Sequence, residues 1–286
     1  MTEKAMSDMN DNTLRKIKKV ASILRREKPS AKGLIDFYEK IFFLQYEIEP
    51  SIEKDFSFLT SKKSFPLIKR KDFAVDLSLS EDLFKKICDA CSGNPMNPDP
   101  SAKAIKNSLG AGDLSFESMV NDYLANESPT PQYSNPGNGF NPELFDFILY
   151  NALKPSIVKS SHLISEYCSK TTSLTNARCP VCNGAPALSI ASGKKYSRSL
   201  VCSFCWHEYK IKKSECPFCK NNDPQTLGHI SLEAEKGIRA DYCNSCKKYI
   251  KTINLKEYRK DFYLPLEMIV SIPFDMKMNE EGFKPE

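Results

Sequence analysis

The sequence predicts an α+β protein in which a helical N-terminal domain is followed by two small tandem units, each built around four cysteines. Apolar residues recur at helical spacing through the first part of the chain, whereas short β-like runs beside C-x-x-C pairs occupy the rest. A length of 286 residues also suits one domain of about 150 residues and a second region of about 100. We therefore expect the helical domain at residues 1–168, the first cysteine unit at 169–213 and the second at 214–286.

The N-terminal half carries the apolar periodicity of several helices. Residues 13–27 and 32–48 each place apolar side chains on one face, and Pro29 separates them, so a helical hairpin is expected. A connector without helical period follows, and Ser80 is a candidate cap for the next helix. The proline- and glycine-rich stretch 127–142 predicts a flexible surface loop. Further helices are expected at residues 80–91, 101–109, 113–126 and 142–168, the last with a kink at Pro155.

Composition indicates a folded cytoplasmic protein. Its hydrophobic fraction of 41% and charged fraction of 27% are near globular averages, and no run of apolar residues is long enough to span a membrane. The first residues are polar and acidic where a secretory signal needs an apolar run. In such a chain the cysteines indicate metal ligation rather than disulfides, because the cytoplasm keeps thiols reduced. We expect no membrane partner.

Four C-x-x-C turns, called knuckles here, are separated by 19, 10 and 23 residues. Each knuckle presents two thiolates to one metal ion, so two knuckles complete a tetrahedral four-cysteine site. Pro180 and Pro217 fix the backbone after the first cysteine of two knuckles, and Gly184 and Asn221 are expected in the left-handed conformation just past the second. The predicted metal ligands are Cys179, Cys182, Cys202 and Cys205 in a first site, and Cys216, Cys219, Cys243 and Cys246 in a second.

Pairing and metal identity each leave an alternative. The second knuckle could instead pair with the third, which would leave the first to meet the fourth. Four thiolates suit zinc, as in zinc ribbons, and also a single iron ion, as in rubredoxin, so zinc-ribbon-like and rubredoxin-like units are both compatible with the ligands. In either case protein sulfurs fill every coordination position. Such a site is structural or electron-carrying rather than hydrolytic.

The other cysteines and the histidines are weaker candidates. Cys88 and Cys91 form a further C-x-x-C pair on a predicted helix, where two semi-buried cysteines are expected and a redox pair or an incomplete metal site is the alternative. Cys168 is expected to be a packing residue. The three histidines are too scattered for a second class of metal site, and His207 is expected in an aromatic shell beside a knuckle.

The net charge of +5 is concentrated in the cysteine region, where residues 179–263 hold 15 basic and 8 acidic side chains, an excess of 7. Each site loaded with a dication would carry a net charge of −2, which lowers this excess to about +3. Lysines at residues 210–213 and 247–251 make a nucleic-acid-binding zinc ribbon an alternative function, which requires a continuous basic surface. With the smaller corrected charge, no nucleic-acid partner is expected.

Motifs of common enzyme classes are absent from the sequence. It contains no glycine-rich phosphate loop, no G-x-S-x-G and no H-E-x-x-H. Closed four-cysteine sites likewise leave no coordination position for a substrate. We therefore do not expect an enzyme with its own active site.

The order of motifs along the chain resembles the FdhE family, the formate dehydrogenase accessory proteins. The most specific match is the register of eight cysteines, in CPVC, CSFC, CPFC and CNSC. In the N-terminal half the similarity rests on Pro29 followed by LIDFYEKIFFLQ (34–45), on FPLI (65–68) and on ILYNALKPSI (148–157). The tail ending in EEGF (280–283) also follows the family's order.

This resemblance implies a cytoplasmic assembly factor that binds the catalytic subunit of a molybdenum- or tungsten-dependent formate dehydrogenase during its maturation. It also implies two rubredoxin-like iron sites, with zinc as the alternative metal. A rubredoxin-like electron-transfer protein is a further alternative function. The chain departs from the family's pattern at Tyr209, where a tryptophan is usual, and at Lys212 and Lys213, where an arginine is usual.

Overall fold

The structure is a computed structural model that describes residues 3–61, 64–94, 99–125, 140–167, 177–192, 197–211, 215–233, 235–258 and 261–285. It contains two compact units, one formed by Met1–Asp55 with Lys69–Ser160 and the other by Phe56–Ile68 with Ser161–Glu286. The predicted α+β class, helices followed by a cysteine-rich region with strands, is confirmed. The expected boundaries at 168–169 and 213–214 lie outside the described residues and stay predictions.

Helices build the first unit, as their apolar spacing predicts. The hairpin of the first two helices is present, and Arg25 near the end of the first forms ion pairs with Asp36 and Glu39 on the second. Leu14 of the predicted stripe is half-buried, and its other members are buried, namely Ile17, Val20, Ala21 and Leu24. The helices are α1 (Glu3–Glu27), α2 (Lys32–Tyr46), α3 (Leu77–Ser92), α4 (Pro100–Ala111), α5 (Phe116–Ala125) and α6 (Pro142–Ser165).

Four local expectations need comment. The start of α3 was wrong by three residues, because the carboxylate of Asp76 accepts a hydrogen bond from the Leu79 amide at 3.1 Å and caps the helix. Ser80 lies inside α3, where it is buried. The connector before α3 contains two short 3-10 turns, and α6 continues through Pro155. The predicted loop falls mainly on residues 126–139, which lie outside the described residues.

The second unit contains one six-stranded sheet with strand order β3-β2-β1-β6-β5-β4. Each half repeats one order along the chain, namely a knuckle, two strands, a second knuckle and a third strand. Pairing is antiparallel within each half, and the halves join through the parallel pair β1 and β6. The strands are β1 (Pro186–Ser192), β2 (Ser197–Cys202), β3 (Glu208–Ile211), β4 (Leu227–Ser231), β5 (Ile238–Cys243) and β6 (Lys248–Asn254).

A hydrophobic core packs the sheet against the C-terminal helices α7 (Leu264–Val270) and α8 (Ile272–Glu280). Ile253 of the sheet and Phe274 and Met278 of α8 are fully buried in this core. Each such side chain contributes about 1.5–3 kcal/mol of burial free energy, so this layer adds stability beyond that from any metal ion. Among the described helices, none is both long and apolar enough to cross a membrane.

Candidate metal centres

The structure brings the first four predicted ligands together. The Sγ atoms of Cys179, Cys182, Cys202 and Cys205 all lie within 4.8 Å of one another. Cys179 is 3.6 Å from Cys205, and Cys182 is 3.5 Å from both Cys202 and Cys205. All four are buried. We call this group the first cysteine cluster.

The second four predicted ligands also meet. The Sγ atoms of Cys216 and Cys246 are 3.7 Å apart, as are those of Cys219 and Cys243, and all four lie within 4.8 Å of one another. Their environment differs, because Cys219 is exposed and Cys246 is half-buried. We call this group the second cysteine cluster. The knuckles thus join in sequential order, and the alternative pairing across the ten-residue gap is not the arrangement in the structure.

The sulfur separations fit a tetrahedral ion. A tetrahedron with metal–sulfur bonds of about 2.3 Å has sulfur–sulfur edges of about 3.8 Å. The separations of 3.5–3.7 Å within both clusters are close to that edge. Each cluster could therefore hold one metal ion.

All four knuckles end in a residue with left-handed backbone conformation. Asn183, Trp206, Lys220 and Lys247, each directly after the second cysteine of a knuckle, have positive φ angles of 56–62°. Within three of the knuckles, the amide of that residue donates to the carbonyl of the first cysteine, at 2.8 Å for Asn183, 3.0 Å for Lys220 and 2.9 Å for Lys247. The left-handed conformation expected at Gly184 and Asn221 was therefore placed one residue too late, because the turn closes immediately after the second cysteine.

Gly184 serves the first cysteine cluster by its small size. A Cβ atom at this position would lie 2.7 Å from the Sγ of Cys202 and 3.2 Å from that of Cys182. Real Cβ atoms do not approach sulfur so closely, so any side chain here would displace a predicted ligand. The carbonyl of Gly184 also accepts a hydrogen bond from the Cys179 amide at 3.0 Å, which ties the residue to the knuckle.

Burial of the thiols makes ionisation of the first cysteine cluster unfavourable. Burial raises the pKa of Cys179, whereas hydrogen bonds from Cys179, Cys182 and Cys205 lower the pKa of Cys202. Four buried thiolates would repel one another strongly without a cation between them. The cluster can therefore hold several negative charges only when a metal ion neutralises most of them.

Tyr209 and His207 form the aromatic wall beside the first cysteine cluster. The Tyr209 hydroxyl donates to the carbonyl of Ala177, and burial, followed by the nearby thiols, raises its pKa. The His207 ring stacks on Tyr209 with centroids 6.2 Å apart and planes 9° apart. Tyr209 is thus a buried aromatic at the position where the FdhE pattern has tryptophan. His207 lies in this shell, as expected.

Hydrogen bonds to sulfur organise the second cysteine cluster. Burial raises the pKa of Cys216 in spite of hydrogen bonds from the backbone of Cys219 and Phe218. Burial also opposes ionisation of Cys243, yet hydrogen bonds from the Cys246 backbone and the Asn221 side chain lower the pKa of Cys243 to about 6. The Asn221 amide nitrogen lies 3.5 Å from the Cys243 sulfur and 2.6 Å from Thr226 Oγ1. Asn221 therefore acts through its side chain, a role that the sequence pattern did not reveal.

A polar row on one face of the sheet borders the second cysteine cluster. The Arg198 guanidinium donates to Ser189 at 2.8 Å and to Asp241 at 3.1 Å, and Thr252 donates to the same carboxylate at 2.7 Å. Arg239 forms an ion pair with Asp241 at 2.7 Å. Both arginines line a cleft of about 220 Å³, together with Cys216 and Cys243 among others. Positive charge thus lies beside the thiols, where it would offset the negative charge of a loaded site.

Cys88 and Cys91 belong to the first compact unit and to neither cysteine cluster. Both side chains are buried in the first unit, and burial raises the pKa of each to about 12. A redox dithiol needs an exposed thiol of depressed pKa, so the burial of both side chains favours the expected packing role. Cys168 lies outside the described residues. His162 and His229 are exposed and join neither cluster.

The lysines that suggested a nucleic-acid surface do not form a continuous exposed stripe among the described residues. Lys251 is only 8% exposed, and its ammonium group lies 2.7 Å from Asp275. Lys247 lies over the ring of Phe283 and Lys248 over that of Phe218, at 5.2 and 5.6 Å from the ring centroids. Lys212 and Lys213 lie outside the described residues.

Comparison with known proteins gives a consistent result. No protein-family model matches the chain. It is 35% identical over 112 residues to the protein named FdhE homolog of Pseudomonas aeruginosa, and 31% identical over 112 residues to that of Pectobacterium atrosepticum. These matches cover 37% of this chain, and 36% and 34% of the relatives. The chain thus matches about a third of the length of these curated relatives.

The fold comparison extends over nearly the whole chain. The crystal structure of the FdhE protein from Pseudomonas aeruginosa superimposes with a TM-score of 0.65, at 17% sequence identity, over 97% of this chain and 91% of that one. At this identity the match shows the fold. Together with the relatives matched by sequence, it confirms the resemblance to the FdhE family that the cysteine register predicted.

Proposed function

We propose that this chain is a cytoplasmic accessory factor that acts in the maturation of a formate dehydrogenase and has no active site of its own. It would bind the molybdenum- or tungsten-dependent catalytic polypeptide and hold one metal ion in each cysteine cluster. The observation that carries this proposal is the combination of an FdhE fold over nearly the whole chain with two four-thiol clusters of tetrahedral dimensions.

The clusters support a structural role for the ions. Cys179, Cys182, Cys202 and Cys205 would ligate one ion, and Cys216, Cys219, Cys243 and Cys246 the other. Zinc fits four thiolates, and so does the iron implied by the resemblance, which would add a one-electron couple. Four protein sulfurs around each ion leave no position for a substrate, which is why we assign an accessory role rather than a reaction.

Recognition of an immature partner requires a surface that distinguishes two states of that partner. Lys210 and Lys247 are exposed near the clusters and are candidate contacts for an acidic patch. Lys251 is not a candidate, because its side chain is buried and its ammonium group forms an ion pair with Asp275. A factor of this kind must bind the immature polypeptide more tightly than the finished enzyme, because otherwise it could not release its product.

Affinity capture with bound metal quantified tests this proposal. The full chain would be immobilised and offered the catalytic polypeptide of a formate dehydrogenase, either before or after cofactor insertion. We expect tighter binding of the immature form by the metal-loaded chain and loss of binding by a chain with Cys179→Ser and Cys216→Ser. Equal affinity for the two forms of the enzyme would contradict the assembly role.

An electron-transfer function is the second candidate. It is favoured by the exposure of Cys219, which would bring an iron ion in the second cysteine cluster close to the surface. This function requires a reversible one-electron couple in the iron-loaded protein. Voltammetry would show that couple, whereas a zinc-loaded protein that still binds the immature polypeptide would favour the assembly role.

A further inference from the structure

Two peptide segments from distant parts of the sequence contact one knuckle of each cysteine cluster. We call residues 65–68 the first strap and residues 282–284 the second strap. The first strap is the FPLI stretch and the second overlaps the EEGF tail, two stretches that carry the resemblance to the FdhE family, yet neither strap contains a predicted ligand. Both belong to the same compact unit as the clusters.

The first strap bonds to the backbone between two predicted ligands. The amide of Leu67 donates to the carbonyl of Pro180 at 2.9 Å, and the amide of Ile68 donates to that of Val181 at 3.0 Å. Pro180 and Val181 are the residues between Cys179 and Cys182. Leu67 and Ile68 are 1% and 3% exposed, so apolar burial anchors the strap.

The second strap bonds to the backbone that follows Cys246. The amide of Lys284 donates to the carbonyl of Lys247 at 3.0 Å, and the amide of Tyr249 donates to the carbonyl of Lys284 at 3.1 Å. Phe283 is 6% exposed and packs on Tyr242 with ring centroids 4.7 Å apart. Gly282 has a φ of +79°, which turns the chain from the end of α8 into the strap.

The planar peptide bond couples the hydrogen bonds of the straps to the orientation of amides near the sulfurs. The carbonyl and amide of one trans peptide point in opposite directions, so a bond that holds the carbonyl also aims the amide. The peptide that joins Lys247 to Lys248 is held by the strap at its carbonyl, and its amide donates to the Cys246 sulfur. In the third knuckle the backbone amides of Phe218 and Cys219 donate to the Cys216 sulfur. The equivalent residues of the first knuckle are Val181 and Cys182. The first strap bonds to the carbonyls of the two peptides that carry the Val181 and Cys182 amides.

We propose that each strap is a positioning element of one metal site, with residues 65–68 controlling ion retention in the first cysteine cluster and residues 282–284 in the second. Each strap contacts one cluster. Among the backbone hydrogen bonds of the described residues, neither strap bonds to a knuckle of the other strap's cluster. Loss of the second strap frees the peptide whose amide donates to the Cys246 sulfur, and loss of the first strap frees the backbone turn between Cys179 and Cys182. In each case the ion leaves that cluster faster. This inference rests on the proposal that the clusters hold metal ions.

Site-resolved alkylation tests the inference. The zinc-loaded full chain is incubated with EDTA and iodoacetamide, and mass spectrometry follows the labelling of each cysteine with time. Phe283→Ala removes a buried ring from the second strap, so we expect the cysteines of the second cluster to be labelled about tenfold faster or more. Labelling of the first cluster should be unchanged. Leu67→Ala should give the reverse pattern. Exposed residues supply matched controls, Met276→Ala on α8 and Phe58→Ala near the first strap.

Further variants separate positioning from general destabilisation. Leu67→Met and Phe283→Met keep most of the apolar volume and should restore slow labelling. Gly282→Ala, whose Cβ would meet no atom within 4 Å, strains only the backbone and should still speed labelling of the second cluster. Equal acceleration at both clusters by each alanine variant, or acceleration at neither, would overturn the inference. A wild-type chain that binds no zinc would instead contradict the proposed metal sites.

Discussion

The two cysteine clusters share one plan but lie in different surroundings. The cysteines of the first are at most 3% exposed, whereas Cys219 of the second is exposed and Cys246 half-buried. Both use the same knuckles with a left-handed residue after the second cysteine. The ligand geometry therefore follows from the local C-x-x-C turns, while access to the cluster depends on what packs around it. We expect the first ion to exchange slowly and the second to exchange readily.

The physical origin of this difference is the packing next to each cluster. Gly184 lets the backbone lie against the sulfurs of the first cysteine cluster, and the stacked rings of Tyr209 and His207 lie beside it. The second cysteine cluster instead borders the cleft of about 220 Å³ that contains Arg198 and Arg239. Burial should make the first cluster matter more for folding, since water and competing ligands cannot reach it.

Replacement of a ligand should have the largest effect. Cys179→Ser should release the first ion and unfold the strands around it, because metal binding supplies on the order of 10 kcal/mol to such a unit. Cys216→Ser should release only the second ion and leave more strand structure intact. Metal analysis and circular dichroism check both variants, and α-helical signal from the first unit should persist. Full metal occupancy with unchanged stability would remove Cys179 from the ligand set.

A smaller effect is expected from Gly184→Ala, which acts on the first cysteine cluster alone. The new Cβ would press on the Cys202 and Cys182 sulfurs, at a cost of about 1–3 kcal/mol. Denaturant unfolding of the zinc-loaded protein measures this cost. Gly110→Ala is the matched control, because nothing lies within 4 Å of its added Cβ. Equal stability of the two variants would show that Gly184 does not limit the space beside the cluster.

Asn221→Leu should act on the second cysteine cluster. It removes the hydrogen bond from the side-chain amide to the Cys243 sulfur, which is worth about 0.5–1.5 kcal/mol. Zinc loss to a chelator should be about threefold to tenfold faster for one of the two ions. The other ion should leave at the wild-type rate. Faster loss of both would mean that Asn221 stabilises the sheet as a whole.

The smallest effect concerns the first unit and should leave both clusters unchanged. Burial, with a contribution from Glu143, raises the pKa of Asp146 to about 6, and its Oδ1 is buried without a hydrogen-bond partner. Since the unfolded carboxyl ionises at lower pH, the free energy of unfolding should fall as pH rises from about 4 to about 6. Asp146→Asn should remove this loss and stabilise the unit by about 1 kcal/mol at pH 7, less than the full linkage value because solvent screens the partly exposed carboxyl. Denaturant titrations at a series of pH values measure the free energy of unfolding of both proteins. The same pH dependence for wild type and variant would contradict this prediction.

Much of the fold class and of the cysteine grouping could be predicted from the sequence. Helical spacing located α2, α6 and the C-terminal part of α1, which begins at Glu3 rather than at residue 13. The knuckle spacing favoured the sequential grouping found in the structure. These signals are local, because a turn or a helix face depends on residues close together in the chain. The cap of α3 was misplaced because both Asp76 and Ser80 are good capping residues, and only tertiary packing buries Ser80.

Long-range pairings could not be predicted in the same way. Joining of the two halves through β1 and β6 brings Ser189 beside Thr252, residues far apart in the chain. The bonds of residues 65–68 to the first knuckle join residues that are even farther apart in sequence. A single sequence carries no periodicity that specifies such partners. The role of Asn221 was missed for a related reason, since its side chain reaches a sulfur 22 positions away.

Native mass spectrometry during timed chelation tests most directly the claim that two unequal clusters each hold one ion. The zinc-loaded chain should start with two ions, pass through a species with one and end with none. The single-ion species should keep the first cysteine cluster loaded, as shown by alkylation of Cys219 and Cys246 but not of Cys179 or Cys202. Loss of both ions in one step, or earlier alkylation of the first cluster, would contradict the account.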